Sequence, residues 1–165
     1  MSYPEPRYHG TTGESTAWLR PAITPADLPR PNGAAHFLAT GATTDGKFGF
    51  YRWDMGPEPG GARPHFHRTM SESFFVLDGT VSLYDGRTWS EGHPGDFLHV
   101  PEGGLHGFRN DSGADASLLI LFVPGAPREA YFRGLVEMAE GRWAPSHEEL
   151  EAFLEEHDNI YVPDP

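Results

Sequence analysis

The sequence predicts an all-β protein of short strands, with an extended N-terminal arm and two C-terminal helices. Three observations predict it. Gly (20) and Pro (16) are frequent among the 165 residues, so turns are many. Aromatic residues reach 13% of the chain, and aromatics are enriched in strands. The apolar segments between the turns are short and largely alternate with period two. The apolar runs at 73–77 and 118–123 argue against a disordered chain, which lacks enough apolar surface to bury.

Three regions differ in texture. Residues 1–33 carry Pro4, Pro6, Pro21, Pro25, Pro29 and Pro31. Prolines break helices and central strands, so an extended arm is predicted here. Residues 34–124 read as strands and turns, beginning with 34–40 and 48–55. In the second, Tyr51, Trp53 and Met55 alternate with Arg52 and Asp54, which places the Trp53 face inward. Strands at 72–77 and 80–84 flank Asp78-Gly79, a strong hairpin signal. Asp85-Gly86 is a second such turn, leading to 88–90. Strands at 96–100, 106–110 and 117–123 complete about eight, spaced as in a β-barrel.

Residues 125–165 change period. Tyr131, Phe132, Leu135, Val136 and Met138 recur at helical spacing, so a helix is predicted over 128–140, stopped by Gly141. Ser146 opens S-H-E-E, a capping box with Glu149, and Leu150, Phe153 and Leu154 follow as the apolar stripe of a second helix. That stripe is expected to pack on the barrel or on a partner.

Acidic residues outnumber basic ones 24 to 12, for a net charge of −12. With no Lys/Arg cluster, neither nucleic acid nor an anionic membrane is an expected partner. No apolar run approaches the ~18 residues of a membrane helix. The absence of cysteine excludes disulfide scaffolds, thiolate metal sites and cysteine nucleophiles. Residues 1–10 show no apolar signal core, and a cytoplasmic protein is the default expectation.

Chemistry concentrates in two stretches. His65 and His67 stand two apart, and on a strand such positions share a face, so both imidazoles can reach one metal ion. Glu72 can add a hard oxygen ligand. Imidazole with carboxylate suits one divalent transition metal ion: Fe, Ni, Mn, Cu or Zn. From His65 the chain runs H-x-H-x4-E-x6-G to Gly79. From Gly95 it runs G-x5-P-x-G-x2-H-x3-N through Pro101, Gly103, His106 and Asn110. At typical residue frequencies, a chance match of nine positions is on the order of one in 10^11 or rarer.

These two stretches resemble the paired motifs of the cupin superfamily, over about residues 48–123. One position departs from the pattern: Pro59 stands where the first motif opens with Gly, a change in a turn and not in a ligand. The resemblance implies a cupin fold, a double-stranded β-helix or jelly-roll barrel. It also implies that His106 joins His65, His67 and Glu72 around the metal. Asn110 is expected to fix a turn. Among cupins the chain is most similar to the single-domain, quercetin 2,3-dioxygenase-like group. By that resemblance Glu72 is also the catalytic base for a substrate hydroxyl, and the activity is a dioxygenase reaction on an enol-like or phenolic small molecule. Two alternatives stand beside it: an isomerase, cyclase or decarboxylase that uses no oxygen, and a non-catalytic small-molecule binder. Trp53, Phe74, Phe97, His99, Phe108 and Phe122 are the candidate pocket residues. A homodimer is expected from family habit and the apolar tail.

Overall fold

The computed structural model describes residues 2–162. Among the described residues ten strands precede two helices and one follows them: β1 (Leu28–Arg30), β2 (Gly33–Ala39), β3 (Gly49–Met55), β4 (Gly60–Phe66), β5 (Ser71–Asp78), β6 (Val81–Tyr84), β7 (Trp89–Gly92), β8 (Phe97–Val100), β9 (His106–Asn110), β10 (Ala116–Val123), α1 (Arg128–Ala139), α2 (His147–Glu156) and β11 (Ile160–Tyr161). They form two antiparallel sheets, ordered β1-β2-β3-β10-β5-β8 and β11-β4-β9-β6-β7. Among the described residues no strand pairing joins the sheets, so the expected barrel is two facing sheets and not a closed ring. The four-residue strands β7 and β8 lie at the edges of different sheets. Between them runs His93-Pro94-Gly95, where Pro94 has no N–H to continue a ladder.

Alternation explains which side chains meet between the sheets. Tyr51, Trp53 and Met55 are all buried, as are Phe74 and Val76 of β5, Leu118, Ile120 and Phe122 of β10, and Phe108 of β9. Phe74 and Phe108 face each other across the core, with ring centroids 5.5 Å apart. Full burial of each such side chain contributes about 1.5–3 kcal/mol.

Three strands escaped the periodicity. The first, β1, is a three-residue strand in the arm, paired to β2 through Leu28↔Ala35 and Arg30↔Gly33; Pro29 is tolerated because β1 is a sheet edge. In β4 the alternation is masked, since its register with β9 shifts between Ala62 and His65, around Arg63-Pro64. The third, β11, has only two residues, pairing Ile160↔Phe66 and Tyr161↔His65.

The tail packs against the open side of the sheets. Helix α1 buries Arg128, Tyr131, Phe132 and Val136. The Phe132 ring lies 5.2 Å from that of Tyr51 and 5.0 Å from Trp53. Gly141, at φ +70°, ends the helix in a left-handed turn. Helix α2 carries the capping box: Glu149 N–H donates to Ser146 Oγ (3.3 Å), and Ser146 N–H donates to Glu149 Oε2 (2.8 Å). Phe153 of its stripe stacks on Tyr131 at 5.7 Å.

Gly79 closes the β5–β6 hairpin at φ +73°, where a Cβ would lie 2.4 Å from the Asp115 carbonyl oxygen. Both the backbone conformation and the space exclude a side chain. Gly79→Ala is expected to lower stability by about 1–3 kcal/mol, measured by urea denaturation.

Candidate metal centre

His65 stands near the end of β4, His67 just beyond it, Glu72 on β5 and His106 at the start of β9. Their elements come from both sheets, so the four side chains meet across the core. All four are buried, and one ligand atom from each lies within 4.8 Å of the others. Nε2 of His67 is 2.9 Å, and Nε2 of His106 2.8 Å, from Glu72 Oε2.

Each imidazole is oriented from behind. Nδ1 of His65 donates to the Arg63 carbonyl (2.7 Å), Nδ1 of His67 to the Asp158 carbonyl (2.5 Å), and Nδ1 of His106 to the Gly104 carbonyl (3.0 Å). A carbonyl only accepts, so each Nδ1 carries a proton and Nε2 is the nitrogen that each ring turns inward. Two of those Nε2 atoms face one carboxylate oxygen, an approach that either an Nε2 proton or a cation between them makes favourable. Ligands on one ion at right angles, each at about 2.1 Å, are about 3 Å apart, close to the observed spacing. The donor set therefore fits a divalent metal, with carbonyl-anchored imidazoles of the kind that hold metals elsewhere.

The same proximity governs protonation. Burial pushes the Glu72 carboxyl up, but His106 and His67 outweigh it and hold the group below the usual carboxylate range. Burial and the neighbouring His106 lower His65 to about 3. Burial also lowers His106, yet the facing Glu72 carboxylate overrides it and raises the imidazole.

A cavity of about 330 Å³ opens on this cluster. His65 and Glu72 reach its floor; Trp53, Phe108, Phe122 and Phe132 form much of its wall. Three candidate pocket residues lie elsewhere. Phe74 is fully buried behind the site, its ring 5.7 Å from that of His106. Phe97 and His99 face away from the core. Register decides this: Glu72 pairs with Val100 and Phe74 with Leu98, whereas Ser73 pairs with His99 and Phe75 with Phe97. Paired residues share a face, so Phe97, 64% exposed, and His99 lie on the outer side. His99 Nδ1 meets Ser73 Oγ there at 3.0 Å.

Other residues of the site carried no sequence signal. Arg128 opens α1, buried, with its guanidinium 4.2 Å from the Tyr131 ring centroid and its Nη1 donating to the His157 carbonyl (2.5 Å). Burial lowers its pKa from the ordinary arginine value, and an arginine stays charged in proteins. Asn159 and Tyr161 also line the cavity. Asp158, at φ +50°, binds the His67 strand end: its carboxylate accepts from Arg68 N–H (2.9 Å), Thr69 N–H (2.8 Å) and Thr69 Oγ1 (2.7 Å). Asn110, fully buried, fixes a turn by donating to the Gly56 (2.9 Å) and Ala114 (2.7 Å) carbonyls and accepting from Ser112.

A two-sheet jelly roll with an internal His/Glu cluster is the class this geometry defines. Residues 51–122 match the family described as Cupin domain, and that span includes all four clustered side chains. Over that span the chain is similar to a cupin domain. Quercetin 2,3-dioxygenase of Bacillus subtilis is 33% identical to it over 108 residues, which cover 66% of this chain and 31% of that protein. The chain thus aligns with under a third of that relative's length. An RmlC-like cupin from Shewanella frigidimarina superposes with a TM-score of 0.52 at 18% identity, covering 64% of this chain and 86% of the other. A protein with a double-stranded β-helix domain from Klebsiella pneumoniae gives 0.52 at 14% identity, covering 66% and 94%. At such identities these two likenesses concern the fold.

Proposed function

We propose that this protein is a metal-dependent cupin dioxygenase acting on an enol-like or phenolic small molecule. One observation carries the reading: three anchored imidazoles and a carboxylate converge at the floor of an aromatic-walled cavity. The partial likeness to quercetin 2,3-dioxygenase agrees with it. His65, His67, Glu72 and His106 would hold the ion, which supplies Lewis acidity and, for a redox-active metal, a route for electrons.

The chain's own residues do the rest. Glu72 reaches the cavity floor while its Oε2 faces the two imidazoles. Its carboxylate is in position to take a substrate hydroxyl proton. Trp53, Phe108 and Phe122 hold an apolar ring and keep water from it.

The test is oxygen uptake by protein loaded separately with Fe, Ni, Mn, Cu and Zn, against flavonols and related enols. Uptake that requires both metal and substrate supports the reading. No uptake across that panel with every metal overturns it, and product formed under strict anaerobiosis replaces it with an isomerase, cyclase or decarboxylase.

A further inference from the structure

We infer that the cavity takes an organic anion, a ring-bearing carboxylate whose charged end docks on Arg128 and Asn159 while its ring lies among the aromatic walls. The inference rests on the reading of this cavity as a small-molecule site, and it adds the charge of the molecule.

Three buried side-chain nitrogens lack a hydrogen-bond partner among the described residues: Arg30 Nε, Arg128 Nε and Asn159 Nδ2. All three belong to residues of this one cavity wall. Each unpaired buried donor carries a desolvation cost, larger for a charged group. Arg128 is the sharpest case, at 3% exposure. Among the described residues its guanidinium donates to two uncharged acceptors, the His157 carbonyl and Asn159 Oδ1 (3.1 Å). Arg20, Arg52, Arg109 and Arg142 each pair with a carboxylate instead, and all are more exposed.

A buried guanidinium without a counter-ion is costly. Glu72 is committed to the imidazoles, and a divalent ion beside it would leave the pocket still more positive. The chain as a whole is at −12, so this positive spot is no by-product of a basic composition. A carboxylate supplies both the missing charge and the missing acceptors, and its two oxygens match a guanidinium fork. The wall selects for a ring: Arg128 already lies over Tyr131, and Arg30 lies 3.9 Å from the Trp53 ring centroid. At about 330 Å³, the space is at the small end of ligand pockets and suits one or two fused rings.

The experiment titrates zinc-loaded protein with 2-naphthoate and with the neutral 2-naphthamide, by calorimetry. The acid is expected to bind roughly tenfold tighter or better, as a charge-assisted contact predicts. Because the zinc ion also favours the acid, a second arm isolates Arg128. Asn159→Asp puts an isosteric carboxylate beside the guanidinium. It is expected to raise the melting temperature, leave the zinc content unchanged and cut the acid-over-amide preference by about tenfold. Arg128→Gln should cut it equally; if that variant does not fold, N159D still decides. Equal binding of acid and amide by the parent protein, or a preference that N159D leaves intact, overturns the inference. Oxygen uptake on neutral flavonols with no acid preference would sink this inference alone. A firm acid preference without any oxygen uptake would sink the dioxygenase reading alone.

Discussion

His106→Ala is expected to empty the centre: metal content of the purified protein falls from near one ion per chain to near zero. Outer groups that only orient a ligand are worth 10–100-fold in metal affinity, so loss of a ligand itself should exceed about 100-fold. His106 is fully buried and holds Glu72 Oε2 at 2.8 Å. Without it, Glu72 keeps only His67, and burial then drives its carboxyl upward toward the neutral form. Removing one partner of a buried charged pair costs about 3–5 kcal/mol.

A double variant separates that cost from simple loss of packing. Replacing Glu72 by Leu together with His106→Ala removes both polar partners, so no charge is stranded. The pair is therefore expected to destabilise the metal-free protein by less than the sum of the single variants, with a coupling of about 1–3 kcal/mol. Chemical denaturation of the four metal-free proteins gives this directly. Strict additivity would mean that the carboxylate and imidazole do not depend on each other, and the description of the site would be wrong.

The four clustered side chains were legible because they sit in short, dense motifs. His65 lies near the end of β4 and His67 two residues on, Glu72 follows after one turn, and glycines at 79, 95 and 103 all adopt positive φ, where Gly is the residue least strained. Inward placement of Trp53 came from clean alternation along β3. Phe97 and His99 were misplaced because a four-residue strand does not announce its phase. The turn that sets that phase is tied by Asp96, whose carboxylate accepts from His93 N–H at 2.7 Å, and no periodicity reports it. Strand β4 was hidden by Pro64 and the shifted register, although it carries half of the imidazole pair. Arg128, Asp158 and Asn159 were invisible for another reason. Each acts as a single residue across a long chain separation, as Asp158 does on His67, 91 positions away, and single residues make no pattern.

Asp158 yields the second large effect, because one residue serves two ends of the site. Its backbone carbonyl accepts a hydrogen bond from His67 Nδ1–H, which keeps Nε2 turned inward. Its carboxylate accepts from Arg68, Thr69 N–H and Thr69 Oγ1, tying the C-terminal segment to the chain just past His67. Asp158→Ala leaves the carbonyl in place but removes that tie and strains a left-handed residue. Metal affinity is expected to fall by about 10–100-fold and stability by about 1–3 kcal/mol. Asp158→Asn tolerates the left-handed backbone and keeps one acceptor, so it should recover part of both. The readout that separates orientation from mere stability is the visible spectrum of the cobalt-substituted protein. A loosened His67 changes the ligand field and broadens the bands in Asp158→Ala, and Asp158→Asn restores them. If the spectrum and the affinity stay at the parent values while stability alone falls, the segment holds the fold and not the imidazole.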